Sequence, residues 1–484
     1  MPDEREMAWD AMDWLLDRFE SDDAVAYAEV GGIYSERTDT VVSEDGPRER
    51  VGFTESGVWL RVFAGGAADY RYTTTLDEDS LEDEAERAIR GGEMLAQEEP
   101  GQFDAYSTHR ASHGGWAAEG IETVDLDTKI ALIEDAIESA GAADLGRVRA
   151  EYADAHIEEA LCATTGSTVQ TTIDRAQVSC VIDPDDGPKI SRHAGSTDGA
   201  TFLERLPALF EGATADARAL ATADVADVSM GATTLALSPR AAGQLFHLFS
   251  HYLEADTDEM GFSPYSVGDK VGPVGLTIED GIRAGSWAAS AYDAELRPST
   301  PIRLVESGEV ERFLHNTTTA AEVETYPAGN SVRSLGFDQP PRIHARQLEV
   351  ASGDASDADI RSGADVYVER FDQPWLVDEI ERAQRTGFFP PSAGYAKNVA
   401  QEAGERPERG TAELPLAEAY RLEDGTRAGR VESASLVYSP ALLEGISALG
   451  ATKDTLTGVC NKHKSRIPYA VTAPGIRLQA ELTR

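Results

Sequence analysis

The stretch LALSPRAAGQLFHLFSHYLEAD, residues 235–256, contains the strongest local signals in the chain. Its first three residues predict the end of a strand. Ser238 followed by Pro239 is the pair expected at the N-cap and first position of a helix. That helix carries His247 and His251 four residues apart, so both imidazoles lie on one face. This spacing is suitable for two ligands of one metal ion.

The chain is strongly acidic. Its 484 residues include 43 Lys and Arg against 86 Asp and Glu, a formal net charge of −43, and lysine is scarce. A Debye length of roughly 3 Å at 1 M salt would screen such a charge. We therefore expect a protein adapted to molar salt, as in a halophilic archaeon. The acidity also argues against a nucleic-acid partner, because no basic face is available to neutralise phosphates.

Cysteine usage and the N-terminus predict the compartment. The sparse set Cys162, Cys180 and Cys460 is typical of a reducing environment without a disulfide framework. Residues 1–10 have neither the basic nor the apolar region of a signal peptide. No apolar run approaches the roughly 20 residues that a membrane span needs. We predict a cytoplasmic protein with no membrane partner.

The apolar pattern predicts an α+β fold in two domains, residues 1–225 and 226–484, divided near Val225. In the first domain, amphipathic helices accompany a meander of strands. The second is predicted to be β-rich after the central helix, forming an antiparallel sheet or open barrel. Its hairpins are predicted from three acidic–Gly turn signals, at 275–282, 303–316 and 420–438.

Two connections stand apart from these elements. Residues 99–122 show no clear period and carry His109, His113 and Trp116, for which solvent exposure is the favoured interpretation. The turn-rich tract 385–415 is predicted to be a flexible loop near the site.

A third candidate metal ligand, Cys460, lies far along the chain in GVCNKHKSRIPYAV, residues 458–471. It is followed by the basic cluster Lys462, His463 and Lys464. Positive charge beside a thiol lowers its pKa and favours metal binding or simple reactivity. A surface turn is the simpler interpretation of the cluster.

Several segments, in their order along the chain, resemble the TldD/PmbA family of metallopeptidase-like proteins, and we identify the chain as a divergent, haloarchaeal-type member. GQLFH and HYLEAD resemble the two ends of that family's metal helix. The other matching segments are LTIEDGI (276–282), PIRLVESGEVERFLHN (301–316), TYPAGNSVRS (325–334), PPRIHARQLEV (340–350), AYRLEDGTRAGRVESASLVYSPALLEGISALG (419–450) and GVCNKHKSRIPYAVTAPGIRLQ (458–479).

The resemblance implies a zinc site. In active members the helix carries His-Glu, three residues and a second His; both histidines bind zinc together with a distant cysteine. Carried over with one residue deleted, this pattern places zinc on His247, His251 and Cys460. An ungapped match places Phe246 at the first ligand and His247 at the glutamate.

The catalytic base is the departure from the family pattern. In the gapped match Leu248 stands where active members have the glutamate that takes the proton of the attacking water. Glu254, in the matching acidic segment downstream, is the remaining candidate for a catalytic base.

Two functions therefore stay open. One is zinc-dependent hydrolysis of unfolded or leader peptides; the other is a catalytically inactive, PmbA-like partner subunit that binds peptide or an active paralogue. The two histidines and the cysteine favour the first, and the missing glutamate favours the second. The resemblance further implies a homodimer, or a heterodimer with a paralogue, that holds extended peptides in its cavity by strand addition.

Overall fold

The computed structural model describes residues 3–95, 110–256, 263–372, 412–462 and 465–484. Its N-terminal helices are α1 (Glu4–Glu20), α2 (Glu78–Leu95), α3 (Leu126–Ala140) and α4 (Leu206–Thr222). Its N-terminal strands are β1 (Val25–Ser43), β2 (Gly46–Ala64), β3 (Ala67–Thr73), β4 (Arg110–His113), β5 (Gly146–Ala163), β6 (Thr168–Pro184) and β7 (Ile190–Ser196). Short 3-10 helices occupy Ile121–Thr123 and Gly199–Arg205.

The N-terminal strands form one curved sheet in the order β3–β2–β1–β5–β6–β4, with β7 also paired to β6. All the pairs are antiparallel except β4 with β6. One hydrophobic cluster joins α1 and α2 to β1 and β2, and a second joins α3 and α4 to β5, β6 and β7. The predicted meander with amphipathic helices is confirmed.

The C-terminal part is β-rich. Its helices are α5 (Pro239–Ser250), α6 (Thr317–Glu322) and α7 (Asp357–Arg361), with 3-10 helices at His251–Leu253 and Pro440–Gly445. The strands are β8 (Val225–Ala226), β9 (Gly231–Leu237), β10 (Ile278–Gly281), β11 (Ile302–Glu306), β12 (Glu309–Val310), β13 (Ser331–Val332), β14 (Arg342–Ile343), β15 (Gln347–Val350), β16 (Val366–Phe371), β17 (Ala412–Glu423), β18 (Thr426–Val431), β19 (Ser435–Tyr438), β20 (Ile446–Lys462) and β21 (Ser465–Thr483).

Five of these strands close on themselves. The main sheet runs β12–β11–β10–β15–β21–β9–β16–β17–β18–β8, and β19 pairs with both β17 and β21. The ring β21–β9–β16–β17–β19 is therefore a barrel, and closure leaves these strands few unpaired edges. Helix α5 packs on it through buried side chains that include Leu245, Phe246 and Phe249. The prediction of an α+β chain with a β-rich C-terminal part is confirmed.

Two of the three predicted hairpins are confirmed: β11 with β12, and β17 with β18. The first, at 275–282, is wrong, because its acidic–Gly pair lies inside β10 between β11 and β15. Asp280 is fully buried there, and its carboxylate accepts hydrogen bonds from the backbone N–H groups of Arg346 and Gln347. The acidic residue completes a strand pairing instead of starting a turn.

The remaining predictions about connections have mixed outcomes. Within the tract predicted to be irregular, residues 110–113 pair in parallel with β6 as β4, so that part of the prediction is wrong. His109 and most of the predicted loop, residues 385–411, lie outside the described residues. Val225 lies in β8, which pairs with β18, and a domain division at this point stays a prediction. No helix in the described ranges is long and apolar enough to cross a membrane.

Candidate metal centre

Helix α5 begins as its sequence predicts. The Ser238 side chain accepts a hydrogen bond from the backbone N–H of Ala241, and Pro239 occupies the first turn. This cap fixes the direction in which α5 leaves β9. The α-helix ends at Ser250, and His251 opens the short 3-10 turn that follows. Across this junction the ring centroids of His247 and His251 lie 4.8 Å apart.

Four buried side chains meet at this point: His247, His251, His344 and Cys460. Each contributes one ligand atom, and these atoms all lie within 4.8 Å of one another. The shortest recorded approach is 3.6 Å, between the Cys460 sulfur and His251 Nε2. The structure thus brings together the three predicted ligand residues and adds His344, which sequence reasoning missed.

Two of the imidazoles are oriented by acceptors on their outer sides. His251 Nδ1 lies 3.0 Å from a carboxylate oxygen of Glu254, and His344 Nδ1 lies against the backbone carbonyl of Ala345. An N–H at Nδ1 donates to each acceptor and leaves the Nε2 lone pair available to an ion. His344 Nε2 and His247 Nδ1 are buried without a hydrogen-bond partner in the described part of the chain.

The cluster fits a metal ion on geometry and charge. Zinc–sulfur and zinc–nitrogen bonds of about 2.3 and 2.0–2.1 Å at a tetrahedral angle separate the two donors by roughly 3.6 Å. The Cys460–His251 separation has this value. Burial lowers the pKa of His251 to about 3 and holds the pKa values of His247 and His344 well below their usual range. Neutral imidazole is the form that binds metals.

Glu254 lies behind this cluster, in a buried charge network. Its carboxylate is fully buried and receives hydrogen bonds from Lys462 Nζ at 2.6 Å and from His251. Lys462 Nζ also donates to Asp256 at 2.7 Å and to the carbonyl of Ile343 at 2.8 Å. Burial opposes the charge of Lys462, but the Glu254 and Asp256 carboxylates outweigh it and raise the lysine pKa.

The interpretation of the basic cluster as a surface turn is therefore wrong for Lys462, which is only 3% exposed. Its ammonium group is held by the acidic residues that follow α5. His463 and Lys464 lie outside the described residues.

The structure distinguishes between the gapped and ungapped matches to the family's metal helix, which place different residues at the first ligand position. Phe246 and Leu248 belong to the hydrophobic core around α5, and Leu248 also lines a cavity beside the cluster. His247 lies between them in the chain and joins the cluster. The ungapped match therefore offers no donor at the first ligand position, and in the gapped match the residue after the histidine is a core leucine.

The cluster forms part of the wall of a cavity of about 1030 Å³. His247, His251 and Cys460 line it, together with residues of β5, β6 and β7 from the N-terminal sheet. Tyr469 in β21 stacks on His247, with ring centroids 3.7 Å apart and planes 8° from parallel. Gly458 in β20 makes room for this ring, because a Cβ there would lie 2.5 Å from the tyrosine oxygen. His344 is fully buried and lies outside the cavity lining.

A second group with metal-ligand chemistry, Glu122, His156 and Asp174, lies on the N-terminal sheet. It forms an ion-pair cluster in which His156 Nδ1 is 2.9 Å from Asp174 and 3.2 Å from Glu122. Asp174 is buried, His156 is half-buried and Glu122 is exposed. His113 packs against Trp116 at 4.5 Å between ring centroids and joins neither group.

Residues 230–388 match the family model described as the PmbA/TldA metallopeptidase C-terminal domain, and residues 28–91 match PmbA/TldA metallopeptidase domain 1. A relative from Methanothermobacter thermautotrophicus, named "Metalloprotease", is 24% identical over 467 residues. The alignment covers 95% of this chain and 95% of that protein. The C-terminal match includes three members of the cluster, His247, His251 and His344.

Solved structures share the fold. A Thermotoga maritima protein described as a candidate modulator of a DNA gyrase superposes with a TM-score of 0.72 at 16% identity, covering 98% of this chain and all of that one. TldE from Thermococcus kodakarensis gives 0.70 at 15% identity, covering 98% and 100%. The family-model matches and the full-length relative support membership of the PmbA/TldD family, and the solved structures share the fold of this chain.

Proposed function

We propose that this chain is a zinc-dependent member of its family that binds unfolded or leader peptides in the cavity and hydrolyses them at the metal centre. The observation that carries the proposal is the position of the buried His/Cys cluster in the cavity wall. An ion held there would face a peptide lying in the cavity.

In this proposal His247, His251 and Cys460 hold the zinc. When bound, zinc polarises the scissile carbonyl and lowers the pKa of a water molecule. Glu254 contacts the nitrogen of His251 that points away from Cys460, so its contacts are those of a residue that orients the imidazole. Lys462 in turn holds the Glu254 carboxylate in place. A base role for Glu254 stays a prediction.

Strand addition is the proposed mode of peptide binding. Among the described strands, β7 pairs only with β6 and β20 pairs only with β21. Residues of both β7 and β20 line the cavity, between Ser191 and Gly195 and between Asp454 and Asn461. An extended peptide can satisfy the backbone groups of such an edge with little dependence on its sequence.

A second candidate function is a non-catalytic partner subunit that binds peptide or an active paralogue. The buried Leu248 after His247 favours it, since among the described residues the cluster itself contains no carboxylate. Both functions include a homodimer or a heterodimer with a paralogue. Both proposals also include adaptation to molar salt, which the net charge of −43 supports, and a cytoplasmic location, which the sparse cysteines support.

Metal analysis tests the centre first. The protein would be purified untagged in molar potassium chloride, and zinc per chain measured in the wild type and in the His251→Ala and Cys460→Ala variants. We expect about one zinc per chain in the wild type and its loss in both variants. His193→Gln is the matched control, because His193 lines the same cavity and both its ring nitrogens have protein partners. A wild type that stays free of zinc after supplementation would overturn the proposal.

Peptide assays then separate the two functions. A fluorescence-quenched peptide library and a reduced, unfolded protein would be incubated with the zinc-loaded and the chelator-treated chain. Zinc-dependent cleavage would support hydrolysis. Peptide binding with full zinc occupancy but no cleavage would support the partner-subunit function. Light scattering in the same buffer would give the oligomeric state.

A further inference from the structure

We propose that His344 is a metal ligand, and that His344, His251 and Cys460 hold the ion firmly. His247 then occupies the remaining position, as the exchangeable ligand. This inference rests on the proposed metal centre and adds to it a ligand, and an order among the ligands, that the sequence did not predict.

The first observation that supports this inference is the burial and hydrogen bonding of the His344 ring nitrogens. The residue is fully buried, and its Nδ1 lies against the carbonyl of Ala345. Its Nε2 is buried without a hydrogen-bond partner in the described residues, although most buried polar side-chain atoms in proteins have one. His344 belongs to the group whose ligand atoms lie within 4.8 Å of one another, so an ion bound there through Nε2 would satisfy this nitrogen.

A purely structural histidine would be expected to look different. His193 lines the same cavity, and its two ring nitrogens lie 2.9 and 3.1 Å from Thr457 and Gln177. His344 instead faces two other imidazoles, with ring centroids 5.5 Å from His247 and 5.2 Å from His251. Three neutral imidazoles and a thiol directed at one point offer an ion four donors.

The histidines differ in how firmly they are held. His251 and His344 each have an acceptor at Nδ1, the arrangement that fixes metal-binding imidazoles. Neither ring nitrogen of His247 has a hydrogen-bond partner among the described residues, so whichever nitrogen faces the ion, the other is not held by an acceptor. The ring is positioned by stacking on Tyr469 at the cavity wall. We therefore assign the firm ligand positions to His251, His344 and Cys460 and the exchangeable one to His247.

This arrangement fills all four positions of a tetrahedral zinc ion with protein donors. Sites of that kind are closed, whereas hydrolytic zinc keeps one position for water. A water molecule or a peptide carbonyl would then reach the ion from the cavity by displacing the exchangeable ligand, His247. Removing the His247 imidazole should consequently open the ion to small ligands from the cavity.

Zinc and cobalt loading of the full chain tests both parts of the inference. His344→Gln should weaken zinc binding by more than the roughly 10–100-fold loss typical of removing an outer partner of a ligand. His247→Gln should keep about one zinc per chain. In the cobalt-loaded forms, acetohydroxamate should change the visible spectrum of His247→Gln and leave that of the wild type unchanged. His193→Gln should behave as the wild type does.

The outcomes separate this inference from the proposed function. If His344→Gln binds zinc with wild-type affinity and gives an unchanged cobalt spectrum, the inference fails while zinc on His247, His251 and Cys460 stands. Zinc loss in His247→Gln equal to that in His344→Gln overturns the order of the ligands. A zinc-free wild type removes the proposed function itself.

A measurement on the wild type covers the case in which His344→Gln does not fold. X-ray absorption at the zinc edge should show the multiple-scattering pattern of three imidazoles with one sulfur. Two imidazoles, one sulfur and an oxygen would overturn the inference without any variant.

Discussion

Replacing Lys462 by methionine should destabilise the protein even when no metal is bound. The side chain is 3% exposed, and its ammonium group makes three short contacts, with Glu254 at 2.6 Å, Asp256 at 2.7 Å and the Ile343 carbonyl at 2.8 Å. Methionine keeps most of the volume and removes the charge. Among the described residues, Lys462 is the cationic partner of the fully buried Glu254 carboxylate, which the substitution therefore leaves uncompensated.

The magnitude follows from that uncompensated charge. Breaking a buried ion pair by removing one partner costs about 3–5 kcal/mol, whereas replacing both partners by neutral groups is often close to neutral. Asp256 contributes less, because its side chain is 25% exposed. We therefore expect Lys462→Met to lower the free energy of unfolding by about 3 kcal/mol or more. Adding Glu254→Gln to the Lys462→Met variant should restore about 2 kcal/mol of the lost free energy of unfolding.

The assay is urea unfolding of the chelator-treated chain in molar potassium chloride, followed by circular dichroism. Lys453→Met in the same strand is the matched control. Lys453 pairs with Glu349, but both side chains are partly exposed. Lys453→Met should therefore lower the free energy of unfolding by no more than about 1 kcal/mol. The reasoning would be refuted if Lys462→Met lowered the free energy of unfolding by no more than Lys453→Met does. It would also be refuted if the effects of Lys462→Met and Glu254→Gln were strictly additive in the double variant.

Two further predictions concern charge. Lowering the salt from about 1 M to about 0.1 M lengthens the Debye length from roughly 3 to 10 Å. With 86 acidic against 43 basic residues, the melting temperature should fall, and an unchanged melting temperature would contradict adaptation to high salt. The hydrogen bond with Asp174, helped by the charges of Asp174, Glu122 and Glu158, raises the pKa of His156. Its contribution to stability is complete below the unfolded pKa of about 6.5 and is lost as pH rises through the raised folded value. Thermal melts across that range should show a shallower decline for Asp174→Asn, and an equal slope would contradict this origin.

Local signals were enough to predict much of the fold. The N-cap and proline at the start of α5, and the apolar stripe of α1, each depend on residues close together in the chain. Local signals could not predict that the barrel closes, because closure depends on β19 pairing with both β17 and β21. The hairpin predicted at 275–282 failed for a related reason. An acidic–Gly pair is typical of turns, but the carboxylate of Asp280 instead accepts hydrogen bonds from a neighbouring strand.

The residues of the candidate site also differ in whether a local sequence signal could predict their positions. His247 and His251 share a helix face, so their proximity was predictable from their spacing. Cys460 could be named as a candidate from the basic cluster that follows it, but its place beside the two histidines was implied only by the family resemblance. A sequence signal for Lys462 did exist: in a chain with little lysine, Lys129 is also buried and paired, 2.8 Å from Asp154. The scarcity of lysine could have marked both residues as internal partners of carboxylates.

His344 had no comparable signal, since it stands alone between two short strands and its role depends on register. Gln347 in β15 pairs in parallel with Ala470 of β21. Continued three residues back, that register brings His344 level with Ile467, whose antiparallel partner in β20 is Cys460. Two strand pairings with β21, one parallel and one antiparallel, therefore bring the histidine and the cysteine to the same level beside α5. Because neither pairing has a local signature, this donor becomes visible only once β15 and β20 are both placed against β21.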